Sequence, residues 1–263
     1  MSKAKKPRST KAKTTAKTAA GKARKRKTGA AAPGLTARLH QAALVLRRWV
    51  LWFAGGFAAL LLIMILLYSV VNPPVTPYIF SESRRLGGVE REWASLEEIA
   101  PEMLLSVVAA EDANFCEHWG FDMGAIRAAI DAGSNRGAST ISQQVVKNLF
   151  LWQGRSWPRK ALESLLTPVV ELVWSKRRIL ELYLNVAEFD EGVFGVDAAA
   201  WRYFRVGPQD LSADQAARLA AVLPNPKAWS ASATSAGMAR RAVLIADGAA
   251  TIRADGRAAC LED

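Results

Sequence analysis

Histidine and cysteine are nearly missing: two of each in 263 residues. His40 and His118 stand far apart, and no Cys/His group has ligand spacing, so a His-based zinc site is disfavoured. Acidic residues are absent from residues 1–48, which carry 15 Lys and Arg. The remaining chain has 20 basic against 24 acidic residues, so the net charge of +11 belongs to the leading tail and not to the folded part. Alternating apolar–polar runs are scarce and internal repeats are lacking, which points away from an all-β or solenoid architecture.

What is present begins with that tail. SKAKKPRSTKAKTTAKTAAGKARKRKTG is low in complexity and cannot bury a core, so residues 1–48 are expected to be a disordered, cytoplasmic arm. An orientation signal with anionic-lipid contact is the favoured reading over a nucleic-acid arm, and no nucleic-acid partner is expected. Ser2-Lys3-Ala4-Lys5 and Lys27-Thr28-Gly29 match S-x-x-K and K-T-G, signatures of penicillin-binding enzymes. With no fold around them they are chance matches.

From Trp49 to Val71 run 23 residues without a charge. As a helix they reach about 35 Å, enough for a hydrocarbon core of about 30 Å. Trp49, Trp52 and Tyr68 sit near the ends, where amphipathic rings favour the headgroup level. A cleaved leader is excluded by the run's length and late start and by the lack of a small-residue cleavage site. Asn72-Pro73-Pro74 ends the segment. Arg47-Arg48 and the tail precede it, so residues 1–48 are placed in the cytoplasm and residues 72–263 outside. Cys116 and Cys260 both follow the span. An oxidising exterior lets them pair, but sequence supplies no distance, and two free thiols remain the alternative.

Residues 72–95 read as a linker with a short strand over Val75 to Phe80, and residues 96–263 as one mostly α domain. Ala100-Pro101-Glu102 opens a helix whose face is Leu104, Leu105, Val108 and Ala109, ending near Glu111-Asp112. A turn-rich loop runs from Asp131 to Gly137. Ser139 can cap a helix to about Leu151, Pro158 opens another that Pro168 is expected to kink, and a further helix runs from Ser175-Lys176 through Val186.

Three segments carry candidate chemistry. In the helix after Ser139, Thr140, Gln144 and Lys147 share a narrow stripe on an otherwise apolar surface. A solvated face is the bland reading; hydroxyl, amide and a single ammonium suit a sugar or phosphate better. Arg159 and Glu163, four apart, form either a simple helix pair or, with Lys160, a mixed-charge anion site. Glu111 to His118 puts two carboxylates at a helix end with a histidine soon after. A carboxylate in a partly apolar cleft can act as a base near neutrality.

Together these segments resemble glycosyltransferase family 51, the transglycosylase module of class A penicillin-binding proteins, and above all its stand-alone, monofunctional form. The matching stretches are EDANFCEHWGFD (111–122), GASTISQQVVKNLFL (137–151), RKALE (159–163), KRRILELYLN (176–185) running on to FGVDAAAWRYF (194–204), and more weakly DLSADQAARLAAVLP (210–224). They occur in family order and spacing across about residues 88–230. The resemblance implies a mostly α, lysozyme-like fold of two lobes around a cleft, behind one N-terminal transmembrane helix. It also implies polymerisation of lipid II. Glu111 is then the general base acting on the acceptor 4-hydroxyl, and Glu163 stands with Arg159 and Lys160 by the leaving pyrophosphate. Thr140, Gln144 and Lys147 line the donor site, while Asp112, Phe115, His118 and Asn185 shape and brace the cleft. No cofactor is obligatory, although a divalent cation (Mg or Mn) is allowed. The partners implied are lipid II, the nascent glycan, the membrane and other cell-wall synthesis or division proteins.

Departures are few. Asp190-Glu191-Gly192 alters a turn, Cys116 is outside the family pattern, and Arg155 is only a supplementary candidate contact. A lytic transglycosylase or muramidase is the rival enzyme, but it has no need of a pyrophosphate clamp. A non-enzymatic wall-assembly scaffold is the rival outside catalysis.

Overall fold

A computed structural model of the chain describes residues 34–131, 133, 139–154, 156–232 and 235–262. The two chance motifs, most of the 131–137 loop and Arg155 lie outside these residues. The described residues divide into two units, with the boundary between Phe53 and Ala54. Helix α1 (Leu35–Tyr68) begins well before the expected Trp49, so the end of the basic tail is helical and not disordered. Its 31-residue stretch Arg38–Tyr68 is apolar and long enough to cross a membrane. The second unit holds the remainder of α1 and every other element.

The expected 72–95 linker is structured. Val75–Phe80 is no strand: Thr76 caps helix α2 (Pro77–Leu86), its hydroxyl accepting from the Ile79 amide at 3.1 Å, with proline in the first turn and Gly87 closing the end in the left-handed region (φ 78°). Strand β1 (Glu90–Arg91) follows, then helix α3 (Pro101–Glu111). The buried side of α3 is Met103, Leu104, Val107 and Val108, about one position back from the face read off the sequence. Because the helix is apolar nearly all round, periodicity fixed its rotation poorly.

Next come α4 (Met123–Asp131), α5 (Ile141–Phe150) and α6 (Trp157–Val173). Thr140, not Ser139, caps α5: its hydroxyl accepts from the Gln143 amide, and the Gln143 side chain accepts from the Thr140 amide at 3.1 Å, completing a capping box. Helix α6 runs through Pro168 without a break. Ser175 caps α7 (Lys176–Val186), as expected. Strands β2 (Glu188–Asp190) and β3 (Val193–Phe194) turn at Glu191-Gly192, with Gly192 at φ 74°. β3 lies between β1, to which it is parallel, and β2, to which it is antiparallel. Helices α8 (Val196–Phe204), α9 (Ala213–Val222) and α10 (Ala236–Asp255) complete the mostly α fold.

Two groups of helices form around the core. α3, α9 and α10 pack on one another, and α5 packs on α6 and α7. Met103, Val107, Ile141, Val145, Leu180, Leu184 and Leu219 are fully buried among them. Cys116 and Cys260 form a disulfide with Cα atoms 5.7 Å apart, tying the loop after α3 to the segment after α10.

Candidate active site

A cleft of about 1400 Å³ opens between the two helix groups. Typical small-molecule pockets hold about 300–1,000 Å³, so the space suits an oligomeric ligand. One wall is the end of α3 (Ala109, Ala110, Glu111). Gln144 and Lys147 of α5 and Arg159, Lys160 and Glu163 of α6 line it as well. The acid and the cations picked out from sequence therefore face a common space.

Glu111 is the last residue of α3, where the helix geometry stops and the chain turns into the 112–122 loop. Its carboxylate accepts from the Gln144 amide nitrogen at 2.8 Å. Burial pushes its pKa up. The Gln144 hydrogen bond and the positive charges of Arg241 and Lys147 pull the other way, and neighbouring Asp112 adds to the rise. Tyr183 of α7, fully buried, directs its hydroxyl at the other atom of the same amide, Gln144 Oε1, at 3.4 Å. Lys147, one turn along α5, has its pKa lowered, chiefly by burial.

On α6 the carboxylate of Glu163 is buried between two cations. Arg159 Nη1 donates to Oε2 at 2.9 Å and Lys160 Nζ donates to Oε1. Arg159 is fastened further by its Nε to the Gly154 carbonyl at 2.7 Å, and Lys160 by its ammonium to the Ser139 hydroxyl at 3.1 Å. The first turn of α6 supplies both cations because Ser156 caps it and Pro158 fixes its entry. This is the mixed-charge cluster, not a solvated helix pair.

The other residues read from the sequence divide by what they touch. Thr140 is buried and donates its hydroxyl to the Gly120 carbonyl at 2.6 Å. It borders not the main cleft but an adjoining recess of about 260 Å³, which it shares with Glu111, Asp112, Asn114 and Asp122. Asp112 bridges two elements: one oxygen meets His118 Nε2 at 2.7 Å and the other accepts the Ile141 amide at 3.0 Å. Phe115 is fully buried, with the Lys176 ammonium 4.5 Å from its ring centroid. Asn185 exchanges two hydrogen bonds with the Ala94 backbone, at 2.9 and 2.8 Å. Phe115, His118 and Asn185 thus contact protein and border neither cavity. They brace the 112–122 loop and the β1 side of the fold.

Sequence reading missed a second cationic wall. Trp229, Arg240, Arg241, Leu244 and Ile245 also line the cleft, the last four from α10. Arg241 is held by the Ala221 carbonyl at 3.1 Å and stands 5.9 Å from the Trp229 ring centroid. Adjacent arginines followed four residues later by an apolar pair were the available signal, without any motif to draw attention to them.

Among the described residues no three His, Cys, Asp or Glu side chains gather to hold a metal. Both oxygens of Glu163 are already engaged by cations, so the donor set does not fit a built divalent-ion cage.

Comparison with known proteins covers the same stretch of chain. A profile described as transglycosylase matches residues 81–250. A biosynthetic peptidoglycan transglycosylase of Jannaschia sp. (strain CCS1) is 59% identical over 223 residues, covering 85% of this chain and 93% of that protein. One from Pseudomonas syringae pv. syringae (strain B728a) is 51% identical, covering 75% and 88%. Another, from Stutzerimonas stutzeri (strain A1501), is 48% identical, covering 79% and 88%.

Proposed function

The chain belongs to the transglycosylase family and is a peptidoglycan glycosyltransferase of cell-wall synthesis, and on that footing we propose that it polymerises lipid II into β-1,4-linked glycan. The donor is a strand on undecaprenyl pyrophosphate and the acceptor a second lipid-linked disaccharide. The acceptor 4-oxygen attacks the anomeric carbon from the face opposite the diphosphate. Its proton passes to Glu111, the new carbon–oxygen bond forms with inversion, and the electron pair of the breaking bond leaves with the diphosphate.

One observation carries this reading: a desolvated carboxylate with raised proton affinity borders the same cleft as Lys147, Arg159 and Lys160. A departing diphosphate needs its growing charge neutralised in place, and fixed cations in a water-poor site do that without reorganising. Glu163 holds Arg159 and Lys160 in register for this work. Thr140 and the recess extend the surface available to sugar. No step is assigned to a metal ion; among the described residues no three His, Cys, Asp or Glu side chains gather to hold one.

The substrate's lipid explains the apolar helix. The protein is anchored in the inner membrane by residues 49–71, with the N-terminus cytoplasmic and the domain periplasmic. The 15 cations before the span support that direction, and the Cys116–Cys260 bond supports an oxidising compartment for the domain. Lipid II, the growing glycan and other wall-synthesis proteins are its partners there.

Purified full-length protein given lipid II in liposomes is expected to make detergent-stable polymer. Shortening of preformed glycan, with no polymer made, would overturn the reading in favour of a muramidase.

A further inference from the structure

A helix leaves its last four carbonyls without partners inside the helix. At the end of α1 all four are accounted for. Ile65 O accepts from the Trp174 indole at 2.7 Å and Leu66 O from the Ser69 hydroxyl at 2.7 Å. Leu67 O accepts from the Val70 and Val71 amides at 3.2 and 2.9 Å, and Tyr68 O from Arg178 Nε at 2.9 Å. The pairing continues past the helix. Arg178 Nη2 reaches Val71 O and its Nη1 reaches Asn72 Oδ1, both at 2.9 Å. Arg91 takes over with Nη2 on Pro73 O at 2.9 Å and Nη1 on Pro74 O at 2.6 Å. Pro77, three residues beyond Pro74, has no N–H with which to close a turn onto Pro74 O, so that carbonyl calls for an outside donor.

Both guanidinium carbons stand 5.8 Å from the Trp93 ring centroid, and Arg178 is further held by Glu181 at 2.9 Å. Arg178 thus serves four acceptors from one planar fork, more than the three protons of a lysine ammonium could. The contacts lead inward. Tyr68 stacks on Phe150, and Phe150 meets Trp174, with ring centroids 6.2 Å apart in each pair. Phe150 is the last residue of α5, which bears Gln144 and Lys147.

We propose that Arg178 and Arg91 are positioning residues for the reaction: they clamp residues 68–74 so that the cleft is held at one height and tilt above the membrane. The clamp rests on the reading that the substrate is lipid-borne. A headgroup tethered to lipid presents its sugar within a narrow depth, and a cleft on a slack tether would meet it in the wrong attitude most of the time.

The test compares wild type with Arg91→Ala/Arg178→Ala on two substrates: full-length lipid II in liposomes, and a short-chain, detergent-dispersed analogue. In liposomes kcat/KM is expected to fall roughly tenfold, mainly through KM. On the analogue the variant should stay within about twofold of wild type. Equal losses on both substrates, or none on either, would refute the clamp. Wild type inert on both substrates would instead sink the proposed function. Hydrogen exchange at the Val70 and Val71 amides, which donate to Leu67 O, judges the clamp without turnover: their protection should fall in the variant, and equal protection in the two proteins refutes it.

Discussion

The side-chain amide of Gln144 donates to the carboxylate of Glu111 at 2.8 Å and turns its oxygen toward the buried hydroxyl of Tyr183, 3.4 Å away. The acid is thereby fixed in direction by two helices, α5 and α7, neither of which carries it. Glutamine can do this where a second acid could not, since a like charge would raise the proton affinity of Glu111 still more.

Glu111→Gln removes the base and keeps the shape. Polymerisation by the variant should fall by about 10²–10⁴-fold. The folded-state pKa is raised, so the folded protein binds more protons than the unfolded one between the ordinary carboxylate range and the raised value. Stability contributed by this residue is therefore lost as pH rises through that window. The variant should melt at or above the wild-type temperature at neutral pH, read by calorimetry beside a polymer assay.

Gln144→Leu deletes a hydrogen bond that favours the ionised form. The acid limb of the pH–rate profile, set by protonation of Glu111, should move to higher pH. Turnover well above that limb should suffer less than turnover on it. An unmoved limb would mean that a different group titrates.

Arg159 and Lys160 should separate stability from activity. Arg159 and Glu163 are both buried, so Arg159→Ala strips a partner from a buried carboxylate and should cost about 3 kcal/mol of stability in urea unfolding. The Lys160 side chain is 41% exposed. Its replacement by alanine should change stability by less than about 1 kcal/mol. Polymerisation should nonetheless drop about 10²-fold, because the diphosphate loses a fixed charge.

Reduction of Cys116–Cys260, or Cys116→Ser with Cys260→Ser, frees a crosslink between residues 144 apart. On the chain-entropy account the loss is about 4–5 kcal/mol at most. Urea midpoints with and without reductant measure it. The 112–122 loop should gain hydrogen exchange before the helices do.

Much of this was legible beforehand because capping chemistry is local. Pro101, Pro158 and Ser175 announced the starts of α3, α6 and α7 where they occur. Thr140 was legible as a polar position yet not as the cap of α5, since Ser139 beside it offers the same hydroxyl. The facing of Glu111 and the α6 cations came from motifs, and their shared cleft agrees with it. What escaped was long-range. The β2–β3 hairpin is too short to alternate, α2 was hidden by the prolines gathered before and at its start, and Arg241 reaches the cleft only because α10 packs on α3. Asn185 read as a site residue because its motif is strong, although its contacts are with the backbone of Ala94 and Glu181.

The sulfur bridge also makes the molecule self-checking. A copy threaded into the bilayer backwards, on the proposed topology, would carry its domain into the reducing cytoplasm, where thiols stay thiols. The loop beside Glu111 would then lose its tie to the segment after α10. Misplacement would yield a looser protein, open to the proteases that remove such copies.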